Sequence, residues 1–147
     1  AESRLWIGPG LETKRPDLKY VAVLGDEAPV EWRGQLDQTH FKGRPYENEV
    51  VFFHRASRTL VMCDLAFNFG PNAAPFTRLW MKAIRSYGHF GPSKLDPLLI
   101  RDRVAARESL QRILTWDFDR VVVAHGDVLE SGGHELLRQG YAWLLAA

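Results

Sequence analysis

Sulfur is scarce in this chain, which has one cysteine, Cys63, and two methionines among 147 residues. A single thiol excludes an intramolecular disulfide framework and any cysteine-rich zinc site, and it suits a reducing compartment. Long apolar runs are also missing. None approaches the roughly 20 residues that a membrane-spanning helix needs, and no basic, then hydrophobic, then small-residue leader opens the sequence. A soluble, cytoplasmic protein is therefore expected, with no membrane partner. Charge of one sign is lacking as well: 19 Lys and Arg stand against 18 Asp and Glu, for a formal net charge of +1. Spread along the chain, these charges make no nucleic-acid footprint. The phosphate-loop pattern G-x-x-x-x-G-K-S/T does not occur, and Gly8-Pro9-Gly10 and Gly132-Gly133 read as turns.

What is present is enough for one core. A hydrophobic share of 46% in a chain of this length supports a single α/β domain over residues 1–147. Short apolar runs at Leu5 to Ile7 and Val21 to Leu24 read as strands, each closed by glycine, and Leu36 to Phe41 as an edge strand. The strongest β signal is Val50 to Phe53 and Thr59 to Cys63, joined by a short polar loop, a predicted hairpin. Both runs are apolar at successive positions, which predicts cover on both faces. After Gly70-Pro71 the period changes. Phe76, Leu79, Trp80, Ala83, Ile84 and Tyr87 predict an amphipathic helix that starts at Pro75 and stops at Gly88. Past a Gly/Pro-rich loop from Gly88 to Pro97, Asp102 is a predicted cap for a helix running to Trp116. Val121 to Ala124 is an apolar strand. Leu136, Leu137, Tyr141, Leu144 and Leu145 then mark a last helix. This order of elements predicts a mixed sheet with flanking helices.

Two polar residues stand where apolar strands end, Asp64 and His125, and loops at strand ends are where rigid sheets present ligands. An aspartate and a neutral imidazole are both zinc ligands. Each alone has a plain structural explanation, a carboxylate or ring that bonds to nearby backbone. Together, with Gly126 allowing close backbone approach, they mark a candidate pocket. Elsewhere the signals are weaker. His54 lies at the hairpin turn with Arg55 and Arg58, where an anion could contact it; His89 and His134 read as ordinary. Ser57 and Ser131 have no adjacent His and acid, which gives a serine hydrolase little support.

The stretch NEVVFFHRASRTLVMCDLAFNFG resembles the hairpin of metallo-β-lactamase-like proteins that ends at a metal-bridging aspartate. The stretch DFDRVVVAHGDVLESGG resembles the segment that delivers the last histidine ligand of that fold. With GPGLETKRPDL and LGDEAPVEWRGQLDQ, the wording is similar to an uncharacterised metallo-β-lactamase-like family of bacteria and plants. The resemblance implies the second half of an αββα sandwich, with Asp64 at the bridging aspartate and His125 at the last histidine. It also implies what is not there. The H-x-H-x-D-H cluster of the fold is absent, the N-terminal half is expected to be missing, and where a further histidine is expected the chain reads Pro45-Tyr46-Glu47-Asn48. His40 and Glu49 are the substitutes nearby, neither at the matching place. The chain starts at Ala1, which raises the expectation that an upstream segment was removed.

Three readings stay open: a metal-dependent hydrolase, a metal-free descendant that binds a small molecule or protein in the old cleft, and an interaction module. They combine into an uncharacterised metallo-hydrolase-like protein in which Asp64 and His125 are remnant ligands. A divalent metal such as zinc is expected to be held weakly or not at all. The alternative is a metal-free binding module. A homodimer through the sheet is expected on either, because one sheet with three helices covers one apolar face and leaves the other.

Overall fold

The computed structural model describes residues 4–83 and 86–146, without the side chains of Trp80 and Ala83. Its centre is a mixed four-stranded sheet of β3 (Leu36–His40), β4 (Val50–His54), β5 (Thr59–Met62) and β6 (Arg120–Val123), in that order. β3, β4 and β5 form an antiparallel meander, and β6 runs parallel to β5. A parallel pair cannot be joined by a tight turn, so the chain leaves the sheet between Met62 and Arg120. It returns by way of α2 (Pro75–Ala83), α3 (Asp96–Leu99) and α4 (Arg103–Ile113). Two further helices, α5 (Gly133–Gly140) and α6 (Ala142–Leu145), follow β6. Near the N-terminus β1 (Trp6–Ile7) and β2 (Ala22–Val23) form a small parallel pair around α1 (Leu11–Lys14).

Strand periodicity decides which side chains meet. Val51, Phe53, Leu60, Met62, Val121 and Val123 share one face and pack with Leu110 and Ile113 of α4, Leu137 of α5 and Leu144 of α6. Val51, Leu60, Val121, Leu110 and Leu137 are wholly buried, and each such side chain contributes roughly 1.5–3 kcal/mol of hydrophobic stabilisation. Asp102 caps α4 as predicted, its Oδ1 accepting from the amides of Val104 and Ala105 at 3.1 and 3.0 Å.

The opposite face departs from the expected two-sided cover. At its β3 end the Gln38 side chain is buried, donating to the Gly25 carbonyl and accepting from the Trp32 indole, so the N-terminal segment folds back over that end. Towards β6 the cover thins: Val50, Phe52 and Val122 are half-buried and Val61 is 37% exposed.

The other correction concerns α2. The helix exists over Pro75–Ala83, but Phe76 and Leu79 of its predicted apolar face are 79% and 68% exposed. Periodicity reports that a helix has an apolar face, not what the face packs on. Tyr87, expected on the same helix, instead bridges Phe69 in an extended segment; Ile84 of that expectation lies outside the described residues. The end of the loop from Gly88 to Pro97 also runs into an unforeseen turn of helix, α3, and the last predicted helix breaks at Tyr141 into α5 and α6.

Candidate functional site

Parallel pairing of β5 with β6 sets Met62 against Val123. Two residues further along each strand come Asp64 and His125, so the register delivers both to the same sheet edge. His125 Nε2 lies 3.1 Å from Asp64 Oδ1, with the two side chains 52% and 43% exposed. The contact is an ion pair whenever the imidazole is protonated. The sequence pair is thus one cluster, open to solvent on its outer side.

The two loops are stitched together behind it. Asn68 donates its amide to the His125 carbonyl at 3.1 Å, and its carbonyl accepts from the Asp127 amide at 2.8 Å. The Asn68 side-chain amide donates to the Asp127 carbonyl, also at 2.8 Å. Between them Gly126 has φ +125°, and a Cβ there would overlap the Asn68 backbone. Only glycine fits that close approach. The Phe67 ring stacks on the imidazole with centroids 5.8 Å apart and planes inclined by 19°, which fixes one face of His125.

Asp64 is held from below by a buried polar cage that sequence reasoning missed. Continuing the antiparallel β4–β5 register places Glu49 opposite Asp64, and the buried Glu49 carboxylate accepts from the amides of Cys63 and Asp64 at 2.5 and 2.9 Å. Arg44 donates to the Asp64 carbonyl at 3.3 Å, to Glu47 and to Asp96. Tyr141 offers its hydroxyl to the Leu65 carbonyl at 2.9 Å and to Asp96 at 2.7 Å, and accepts from Arg44 at 3.2 Å. Four main-chain groups of the turn from Cys63 to Leu65 are therefore gripped by side chains that are themselves almost fully buried. Burying Arg44 and Asp96 costs several kcal/mol per ion before pairing, which hydrogen bonds on most of their polar atoms offset. Arg44 Nε is without a partner among the described residues. Burial alone would lower the Arg44 pKa, but Tyr141, Asp96 and Glu47 around it hold the guanidinium protonated. Burial pushes the Glu49 carboxyl up against the pull of its two amide donors, and drives the Tyr141 hydroxyl well up. One sequence signal pointed this way: Tyr141 shares a helical face with Leu137 and Leu144, and a buried tyrosine hydroxyl requires partners.

Neither substitute ligand joins the pair. Glu49 adjoins Asp64 but spends both oxygens on amides. His40 sits on edge strand β3 beside Asn48, where burial lowers its pKa and Nε2 is enclosed without a partner among the described residues. Partial burial, with Glu49 and Asp64 close by, raises the Cys63 thiol, which makes it a poor nucleophile at neutral pH. Among the described residues no three His, Cys, Asp or Glu side chains converge to hold a metal ion. The residues present therefore fit one edge of a metal site and not a closed shell.

The remaining candidates are dispersed. His54 Nδ1 is 2.7 Å from Ser57 Oγ, but Arg55 pairs with Asp37 and Arg58 with Asp117, so the turn has little spare positive charge for an anion. The His134 Nε2 donates to the Leu114 carbonyl at 2.9 Å, an ordinary structural role. No protein-family model and no curated protein sequence matches this chain.

Proposed function

We propose that this is a degenerate metallo-hydrolase-like domain in which Asp64 and His125 are the two remaining ligands of a divalent-metal site. The observation that carries this reading is the 3.1 Å approach of Asp64 Oδ1 and His125 Nε2 at the shared end of β5 and β6. Two ligands at about 2.0–2.1 Å from a tetrahedral zinc stand about 3.3 Å apart, so the pair already has the spacing of one ligand edge. The likeness of its two sequence stretches to the aspartate and last histidine segments of metallo-β-lactamase-like proteins supports the same assignment. Two protein ligands leave half of a tetrahedral shell to solvent, so zinc binds weakly here and hydrolysis needs ligands beyond this pair.

Calorimetric titration of untagged protein with zinc tests the reading. Weak binding that disappears in both Asp64→Ala and His125→Ala is expected. Binding indifferent to both substitutions, or none at millimolar zinc, overturns the assignment of ligands. Stoichiometric zinc that survives dialysis against a weak chelator and is lost in both variants overturns the degenerate half of it.

A second reading, an interaction module that pairs two copies through the sheet, is favoured by one observation. Val61, exposed beside half-buried Val50, Phe52 and Val122, leaves an apolar strip on the face opposite the core. A two-fold contact would bury the same strip twice. Light scattering over a range of concentrations separates the outcomes: a dimer supports this reading, and a monomer throughout rejects it.

A further inference from the structure

A cavity of about 330 Å³, lined by neither Asp64 nor His125, lies between the loop at residues 89–97 and the C-terminal helices. That volume is in the range of small-molecule sites. Its walls are aromatic and prolyl: Phe90, Pro92, Pro97 and the Trp143 indole. Trp143 is held under the Arg103 guanidinium, 5.8 Å from the ring centroid. Pro92 is seated against Gly140, where any Cβ would overlap the pyrrolidine ring, so the closeness of the two walls depends on glycine at that position. Gly91 has φ +154° and both its main-chain groups bond to Phe67, which anchors the loop to the segment whose ring stacks on His125.

The polar side chains of the lining are Lys94, Ser93 and His89. Among the described residues Lys94 has no acidic partner and no carboxylate lines the cavity. Ser93 Oγ accepts from the Leu95 amide at 3.1 Å, which leaves its hydroxyl hydrogen free to donate outwards. His89 Nδ1 must donate to the Tyr87 carbonyl at 3.2 Å, which leaves Nε2 of the neutral ring as an acceptor and gives this side chain no part in holding an anion. An aromatic slot with an unpaired ammonium and a spare hydroxyl at its rim is complementary to a flat apolar body with a negative group at one end.

We propose that this cleft binds a small, planar, apolar molecule that carries one carboxylate or comparable anion, with the ring against Trp143 and Pro92 and the anion at Lys94 and Ser93. The site uses neither Asp64 nor His125, so its failure would leave the metal-ligand reading untouched.

The test is a chemical-shift titration of the ¹⁵N-labelled chain with 2-naphthoate and, separately, with the uncharged 2-naphthamide. Saturable shifts at Gly91, Ser93, Lys94, Gly140 and the Trp143 indole are expected, with the acid bound about five-fold more tightly than the amide, as befits a partly exposed charged contact. Lys94→Gln, a substitution at an exposed side chain, is expected to erase that preference while the fold and the amide's affinity persist. Trp143→Leu is expected to weaken both ligands. Equal affinity for acid and amide in the unsubstituted chain overturns the proposal. So do shifts centred elsewhere, or a preference that survives Lys94→Gln.

Discussion

Replacing Tyr141 with phenylalanine removes one oxygen and no hydrophobic surface, which isolates what the buried cage contributes. The hydroxyl has one hydrogen for two acceptors, Leu65 O and Asp96 Oδ2, and it accepts from Arg44 Nη2. In Tyr141→Phe the carbonyl, the carboxylate and the guanidinium each lose a contact in a place too buried for water to substitute. A neutral hydrogen bond contributes about 1 kcal/mol and one to a charged group about 1.5–3 kcal/mol, but the Arg44–Asp96 pair survives and shares part of the loss. The expected cost is therefore about 2–3 kcal/mol. For a chain of this length each kcal/mol lowers Tm by about 2–4 °C, so a drop of about 4–12 °C is expected by calorimetry. The urea midpoint should fall with its slope unchanged, as befits a local loss without a change in the surface exposed on unfolding. A loss under about 0.5 kcal/mol would refute the reasoning, because the hydroxyl would then be dispensable and the turn at Asp64 held by other means.

Gly126→Ala forces a Cβ into the Asn68 backbone at a positive φ; a loss of about 2 kcal/mol or more is expected, with amide shifts at Asn68 and His125 marking the displaced loop. Asp102→Ala removes the carboxylate that accepts from two amides at the start of α4, and about 1 kcal/mol of stability should go with it in denaturant unfolding. For Asp26 burial alone would raise the pKa, but Lys42, the His40 amide and the Thr39 hydroxyl outweigh it and the net shift is downward. Its contribution is thus fully present above the unfolded value of about 3.9 and is lost as the pH falls through the lower folded value. Unfolding curves of the unsubstituted chain and Asp26→Asn should differ at pH 6 and converge as the pH falls through the lowered folded value, with only a small difference at pH 6 because Lys42 and Asp26 are substantially solvated.

Asp64 and His125 were legible in the sequence because each follows an apolar run directly, and a parallel register needs no side-chain detail to align the two ends. The hairpin, the cap at Asp102 and the buried stripe of Leu137, Tyr141 and Leu144 were legible for similarly local reasons. The cage was not. Arg44 and Tyr141 stand 97 positions apart, and arginine, aspartate and glutamate read as surface until a fold shows them enclosed. Phe76 and Leu79 of α2 were not legible as exposed, because they satisfy the helical period yet face solvent in this chain. The cleft beside Trp143 was illegible for another reason: its shape rests on Gly140 admitting Pro92, a contact between a helix end and a loop that no spacing encodes.

The most direct measurement of whether Asp64 and His125 form one site is a zinc titration followed through the imidazole signals of the five histidines. His125 is expected to shift first, ahead of His40, His54, His89 and His134, and Asp64→Ala is expected to abolish that response without disturbing the other rings. A His125 signal that ignores zinc, or that responds equally well without Asp64, would contradict the shared site.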